Sequence, residues 1–274
     1  MSATLGRGRA QPLERSCIRL GSGADGLQRL AAFFSDDGFA PHRHVTYGIG
    51  VTTSGVQAFR YRGERHLCRP GQMHILHPDE THDGTTATEA GFGYRIIYLD
   101  PDLVGAALDG RPLPFVPQPV HDRPPAHLLA LLGDIDEPIS DLARTDAATY
   151  LADTLVRLGD RPISRGAAVD TKAVALVRDY LEAHAAEPVS SHDLELLTGL
   201  DRFTLARHFR RVCGTSPDRY RMARRLDVAR GAIRSGTPLA RAAAEAGFAD
   251  QSHLTRQFKL AYGLPPGRWT ALSR

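Results

Sequence analysis

The chain has 274 residues, a formal net charge of +3, 42% hydrophobic residues and 24% charged residues. That length exceeds a mini-protein and holds one large domain or two ordinary ones, with enough apolar residues to bury a core. No run approaches about 18 apolar residues, which excludes a membrane-spanning helix. Cys17, Cys68 and Cys213 are scattered and form no CxxC pair, which excludes a disulfide framework and a cysteine-only zinc cluster.

In chain order, residues 1–11 are short, polar and rich in Gly and Arg, without the apolar core of a signal peptide. This predicts a cytoplasmic protein. From Leu27 to Asp100, Gly, Pro and Asp separate short β-rich runs at 45–51, 56–61, 73–76 and 94–99. That pattern predicts an antiparallel sandwich or barrel. Residues 101–125 are proline-dense and read as irregular surface chain. Helical patterns follow at 126–135 and 140–158. In the second, Leu142, Leu151, Leu155 and Leu158 lie near one face, suited to packing on the barrel or on a partner helix. Residues 159–169 read as a linker.

From Asp170 onward the pattern predicts helices at 170–185, 191–198, 202–213, 217–235, 238–246, 251–262 and 265–272. The breaks fall at Pro188, Gly199, Gly214 with Pro217, Gly236 with Pro238, Gly247, and Gly263 with Pro265 and Pro266. Ser190 or Ser191, Asp201 and Asp250 are the predicted caps of the helices that open beside them.

Charge and histidine divide the chain in the same way. Residues 1–165 carry 17 Arg and Lys against 20 Asp and Glu, a net of −3. Residues 166–274 carry 17 against 11, a net of +6. Between Asp201 and Arg234 ten arginines face only Asp201, Asp218 and Asp227. Such a segment suits a phosphate backbone or a solvated helix face. Six of the twelve histidines lie between His42 and His82.

The strongest signal is an internal repeat at an offset of 49. One copy carries Leu205, Arg207, Phe209, Gly214, Pro217 and Tyr220. The other carries Leu254, Arg256, Phe258, Gly263, Pro266 and Trp269 in the same spacing. Each follows a short apolar helix that ends in Gly, so a helix-turn-helix occurs twice. Leu205 and Phe209, like Leu254 and Phe258, are i and i+4 and point inward. Phe203, Ala206 and Arg207, and Gln251, Ser252, His253, Thr255 and Arg256, are then the outward DNA-binding candidates. Arg and Gln bond base edges bidentately, and Ser, Thr and His reach bases or phosphates. The joining helix, 217–235, measures roughly 28 Å at 1.5 Å per residue, which suits two helices entering successive major-groove faces roughly 34 Å apart. Its arginines (219, 221, 224, 225, 230, 234) are read as phosphate contacts or partners of Asp218 and Asp227.

The segment Ala243-x3-Gly247-Phe248-x-Asp250-Gln251-Ser252-His253-Leu254-Thr255-Arg256-Gln257-Phe258-Lys259-x3-Gly263-x-Pro265-Pro266 closely resembles the signature of AraC/XylS transcription regulators. The resemblance covers about 100 residues and implies a seven-helix domain with two helix-turn-helix units whose base contacts fall on the outward positions above. The first copy departs from the family pattern. Asp201 stands where a small hydroxyl residue is usual, and Ala206 bonds poorly. Readout there then rests on Arg207, with Phe203 against a thymine methyl.

The first half resembles, more loosely and over about 75 residues, the cupin-like effector domain of the same family. The residues are Pro41-His42-Arg43-His44, 47–51, 70–84 (Pro70-Gly71 through His82-Asp83-Gly84) and 91–95. An enzyme cupin holds a divalent metal with H-x-H, a Glu three or four residues on, and a later His. His42 and His44 share one strand face, but no carboxylate follows His44. Three readings stand open. His42, His44, Tyr47, Glu80 and His82 line an effector pocket, or His42, His44 and His82 hold a metal, or the histidines are structural. His66, His74 and His77 read as ordinary strand or surface residues, and Arg95 and Tyr98 as further candidates for pocket or core.

The expectation is a two-domain α+β protein. Residues 1–160 form a cupin-like antiparallel β-barrel with trailing helices, 161–169 a linker, and 170–274 an all-α tandem helix-turn-helix domain. Its expected function is sequence-specific regulation of transcription, as an activator, under a small-molecule effector. The expected partners are double-stranded DNA, the effector, RNA polymerase and a second copy joined through 126–158. No catalytic residue, cofactor or metal is assigned. The alternative is a cupin metalloenzyme fused to a DNA-binding domain, which the missing carboxylate opposes. A methyl-accepting repair regulator would need a four-cysteine zinc site, and the three scattered cysteines cannot supply it.

Overall fold

The computed structural model describes residues 16–35, 38–109, 111–159, 168–262 and 264–272. Its internal contacts divide the chain into two compact units, 1–139 with 150–163, and 140–149 with 164–274. Most of the stretch read as a linker lies outside the described residues.

The first unit is built on two antiparallel sheets. Its strands are β1 (Cys17–Leu20), β2 (Leu27–Phe34), β3 (Phe39–His42), β4 (Tyr47–Gly55), β5 (Gln57–Tyr61), β6 (Glu64–Cys68), β7 (Met73–Leu76), β8 (His82–Thr86), β9 (Phe92–Leu99) and β10 (Val120–His121). One sheet has the order β1-β2-β9-β4-β7-β10, the other β3-β8-β5-β6. Alternation along the strands sorts side chains to two faces. Leu30 pairs with Ile96, Ala32 with Tyr94 and Phe34 with Phe92. This face forms a core that also takes Phe39 from the second sheet. On β4 the same face carries Gly48 and Gly50. A Cβ on Gly50 would lie 2.4 Å from the His74 ring, so glycine there is what lets that imidazole enter.

The opposite face carries Leu27, Tyr47, Ile49, Ile97 and Leu99, all buried, and helices cover it. Helix α2 (Ala126–Gly133) contacts β9. Two arginines from the sheet hold its end. Arg29 donates to Leu131 O at 3.1 Å, to Asp134 O at 2.9 Å and to Glu137 O. Arg95 donates to Leu132 O at 2.6 Å and to Gly133 O. Cations at a helix C-terminus satisfy its orphan carbonyls. Arg95 is therefore a helix-capping residue on the outer face.

The proline-dense stretch differs from its expectation. Pro101–Ala107 is a helix, α1, and residues 120–121 form β10. Proline suits the first turn of a helix, where its missing N–H is no loss, and Asp100 Oδ1 accepts the Asp102 N–H at 2.9 Å as the cap. Helix α3 (Asp141–Leu158) buries Leu142, Ala148, Leu151 and Leu155. The apolar face expected to pack on the barrel or on a partner helix is thus buried.

In the second unit the helices are α4 (Thr171–Ala183), α5 (Ser191–Thr198), α6 (Arg202–Cys213), α7 (Pro217–Arg234), α8 (Leu239–Glu245), α9 (Gln251–Tyr262) and α10 (Pro266–Leu272). Ser190 and Asp193 form a reciprocal capping box on α5, and Asp201 caps α6 by accepting the Phe203 and Thr204 N–H groups. Two cores flank α7. One gathers Val177, Leu181, Leu194, Leu205 and Phe209, the other Leu226, Ile233, Ala243, Leu254 and Phe258. The repeat is visible as a repeated contact. Phe209 meets Tyr220 edge-on at 5.5 Å, and Phe258 meets Trp269 edge-on at 5.7 Å.

Candidate nucleic-acid interface and effector site

Helix α9 is set by its turn and its cap. Gly247 has φ +74, and a Cβ there would lie 2.1 Å from Ala186 O, so only glycine makes this turn. Asp250 Oδ1 accepts the His253 N–H at 2.7 Å. That bond holds the Asp250 carboxyl below its usual range. With Leu254 and Phe258 buried, Gln251, Ser252 and Arg256 are exposed, and His253 and Thr255 are half-buried. All five predicted polar residues of this copy therefore reach the surface of one helix.

Helix α6 corrects the expectation. Phe203 is 8% exposed and Ala206 1%, so neither faces outward. Ala206 lines a crevice with Leu205, Arg202, and Leu142, Thr145 and Asp146 of α3. The accessible face carries Thr204, Arg207 and Arg211 instead. Arg207 Nη2 donates to Thr204 Oγ1 at 3.0 Å. Residues 204, 207 and 211 recur at i, i+3 and i+7, so this stripe was readable in the sequence once 203 and 206 were assigned to packing.

The arginines of α7 also divide. Arg224 and Arg230 pair with Asp227 at 3.0 and 2.9 Å. Arg221 and Arg225 are buried and do structural work. Arg221 donates to Ala185 O at 3.3 Å and Glu187 O at 2.6 Å. Arg225 donates to Ala246 O at 3.0 Å and to Gly247 O, with its guanidinium 4.3 Å from the Phe248 ring centroid. These two are not phosphate contacts. They fasten α7 to the end of the α4 segment and to the turn before α9.

In the first unit the structure brings together three of the five predicted effector residues. The ring centroids of His42 and His82 lie 4.5 Å apart, those of His44 and His82 4.9 Å, and those of His42 and His44 6.3 Å. Phe39 packs edge-on against His42 at 5.1 Å, and Tyr98 edge-on against His44 at 5.0 Å. Burial lowers the His44 pKa and takes that of His82 to about 4, so both rings are neutral at pH 7.

Tyr47 and Glu80 stand elsewhere. Tyr47 alternates away from Gly48, and its hydroxyl donates to Pro114 O at 3.1 Å. The Glu80 carboxylate accepts from Tyr61 Oη and from Arg62 Nε at 2.8 Å. His74 and His77, read as ordinary residues, are buried. His77 Nε2 accepts the Val116 N–H at 3.1 Å, and His74 lies 5.9 Å from the Tyr94 ring inside the barrel. Among the described residues no group of three or more His, Cys, Asp or Glu side chains is arranged to hold a metal ion.

This architecture, a histidine-lined double sheet and a duplicated helix-turn-helix, has known relatives. The family described as the AraC-like ligand binding domain matches residues 26–152, and a helix-turn-helix domain family matches residues 197–271. The chain carries an AraC-like ligand-binding domain and a helix-turn-helix domain, and its homologues are AraC-family transcription regulators. An uncharacterized HTH-type transcriptional regulator, YbfI of Bacillus subtilis, is 29% identical over 79% of this chain and 81% of its own. The multiple antibiotic resistance protein MarA of Escherichia coli is 27% identical over 36% of this chain and 80% of its own. The crystal structure of a probable AraC family regulator from Rhodopseudomonas palustris is 28% identical, covers 38% of this chain and 99% of its own, and superposes with a TM-score of 0.35. Among the described residues no helix of the regulator is long and apolar enough to cross a membrane.

Proposed function

We propose that this AraC-type regulator reads double-stranded DNA with α6 and α9 entering successive major-groove faces. Gln251, Ser252, His253, Thr255 and Arg256 of α9 make the base and phosphate contacts of one half-site. Arg207, flanked by Thr204 and Arg211, makes those of the other. The observation that carries this reading is the repeat in register: both helices bury the same i, i+4 pair and present an arginine two residues after its leucine. Residues 170–274 act as the DNA-binding domain and 1–160 as the effector domain, with 161–169 joining them. A small molecule bound at His42, His44 and His82 shifts the regulator between arrangements of differing DNA affinity. The regulator acts in the cytoplasm as an activator, through RNA polymerase and as a pair of copies, and is no enzyme.

The test is fluorescence anisotropy on an operator selected from random DNA by the full-length protein. Arg256→Ala and Arg207→Ala each remove a bidentate contact, expected to cost about 1–3 kcal/mol and to relax preference at one base pair. Wild-type affinity and wild-type preference in both variants would remove these helices from the interface.

A further inference from the structure

The three clustered imidazoles share a feature beyond proximity. His42 Nδ1 lies 3.1 Å from Ala40 O, His44 Nδ1 2.8 Å from Thr46 O, and His82 Nδ1 3.0 Å from Glu80 O. A carbonyl oxygen only accepts, so each Nδ1 must carry the proton. In a neutral ring that leaves Nε2 with a lone pair. All three rings are therefore held by their own backbone with the proton on Nδ1, each by a carbonyl two residues away, which leaves Nε2 of the neutral His44 and His82 rings as an acceptor. His44 Nε2 is buried with no hydrogen-bond partner among the described residues, and it lies over Gly48, where an added Cβ would come within 3.3 Å of it. A buried acceptor without a donor is costly, which makes it a recognition element for whatever brings one.

The surroundings narrow the donor. The walls beside the three rings are aromatic: Phe39 against His42 and His82, and Tyr98 against His44. Beyond them lie Tyr94 and Ile96. Burial holds the Tyr94 and Tyr98 hydroxyls protonated by raising their pKa values. Asp83, the next residue on β8, alternates to the other face, where its Oδ1 accepts the Arg60 N–H at 2.6 Å. Imidazole lone pairs repel an anion, while flat apolar walls favour a ring.

We propose that the effector is a neutral hydroxylated aromatic molecule. Its hydroxyls donate to Nε2 of His44 and His82, and its ring lies against Phe39 and Tyr98. This rests on the reading of the barrel as the effector site, and it adds the ligand class and the atoms that select it.

The experiment uses the full-length protein labelled with 15N-histidine. Long-range proton–nitrogen spectra at pH 7 are expected to show His44 and His82 as Nδ1–H tautomers. Three probes of similar size are then titrated: catechol, 1,2-dimethoxybenzene, which lacks the O–H donors, and benzoate, which is anionic. Catechol is expected to shift the Nε2 signals of His44 and His82 saturably and to raise the melting temperature. The other two are expected to bind at least tenfold more weakly. His44→Gln and His82→Gln, each checked for native near-ultraviolet dichroism, are expected to lose the catechol response. The proposal is overturned if benzoate or the dimethyl ether binds as well as catechol, or if catechol leaves both Nε2 signals in place. It is equally overturned if Zn2+ alone captures those signals and catechol does not, or if the rings are Nε2–H tautomers. Operator binding is measured separately, so a failed ligand class leaves the DNA-binding assignment standing.

Discussion

Two buried ionisable residues respond to pH in opposite senses. Burial takes the His74 pKa from 6.5 to about 3. Below pH 6.5 the unfolded chain gains a proton that the native chain refuses. Stability from this residue is therefore present above pH 6.5 and falls by about 1.4 kcal/mol per pH unit as pH drops toward 3. His74→Gln should flatten that loss, as read by hydrogen exchange of β4 and β9 amides between pH 7 and 5. Asp146 behaves inversely. Burial, and then the field of Asp218, raises its carboxyl to about 7. It gives up its proton more reluctantly when folded, so its cost is absent below about pH 4 and complete above pH 7. Asp146→Asn is expected to raise the melting temperature at pH 8, with the gain vanishing by pH 4, followed by the fluorescence of Trp269. Neither residue stood out in the sequence. His74 is one histidine in an alternating run, and its place depends on Gly50 lying opposite it on the neighbouring strand β4.

Helix α7 shows how a basic element can spend part of its charge inside the fold. Its charge was legible, but the division of labour among its arginines was not, because that depends on which helix ends approach it in space. Arg225 serves two carbonyls and a ring face, so Arg225→Met should cost about 2–3 kcal/mol in urea unfolding. Arg224, half-exposed and paired with Asp227, should cost under about 1 kcal/mol when changed to Ala. Equal effects would contradict the distinction. Helix α3 makes a related point about carboxylates. Asp141 Oδ2 accepts the Ser191 N–H at 2.6 Å at the start of α5, and Asp146 Oδ2 accepts the Asp218 N–H at 3.1 Å at the start of α7. One helix thus caps two others. The periodicity of α3 announces an apolar face suited to the barrel or to a partner helix. In the structure Leu142 joins one core with Val177, Leu194 and Leu205, so the first turn of that face packs inside the second unit.

For the whole molecule, the net charge of +3 conceals a sensor of −3 and a reader of +6. The repeat was legible because both copies must bury a leucine and a phenylalanine four residues apart, and no other local structure asks for that spacing twice. The histidine cluster was legible in part. H-x-H places two rings on one strand face, and His82 joins them through the β3–β8 register, in which His42 pairs with His82. Tyr47 and Glu80 look equally available in sequence, whereas in the structure the Tyr47 hydroxyl is bonded to Pro114 O and the Glu80 carboxylate to Tyr61 and Arg62.

The fastening of α7 has a further consequence. Arg221 fastens α7 to the end of the α4 segment and Arg225 fastens it to the turn before α9, and α6 shares a core with α4, so the spacing of the two proposed reading helices is set by the fold rather than by the DNA. With α6 and α9 as the proposed readers, the spacing of the operator is measured along with its letters. One inserted base pair between the half-sites moves the second by about 3.4 Å and turns it by roughly 35° about the duplex. That displacement should cost more affinity than any single base change within either half-site. The operators of this regulator should therefore vary in letters and hold their phase.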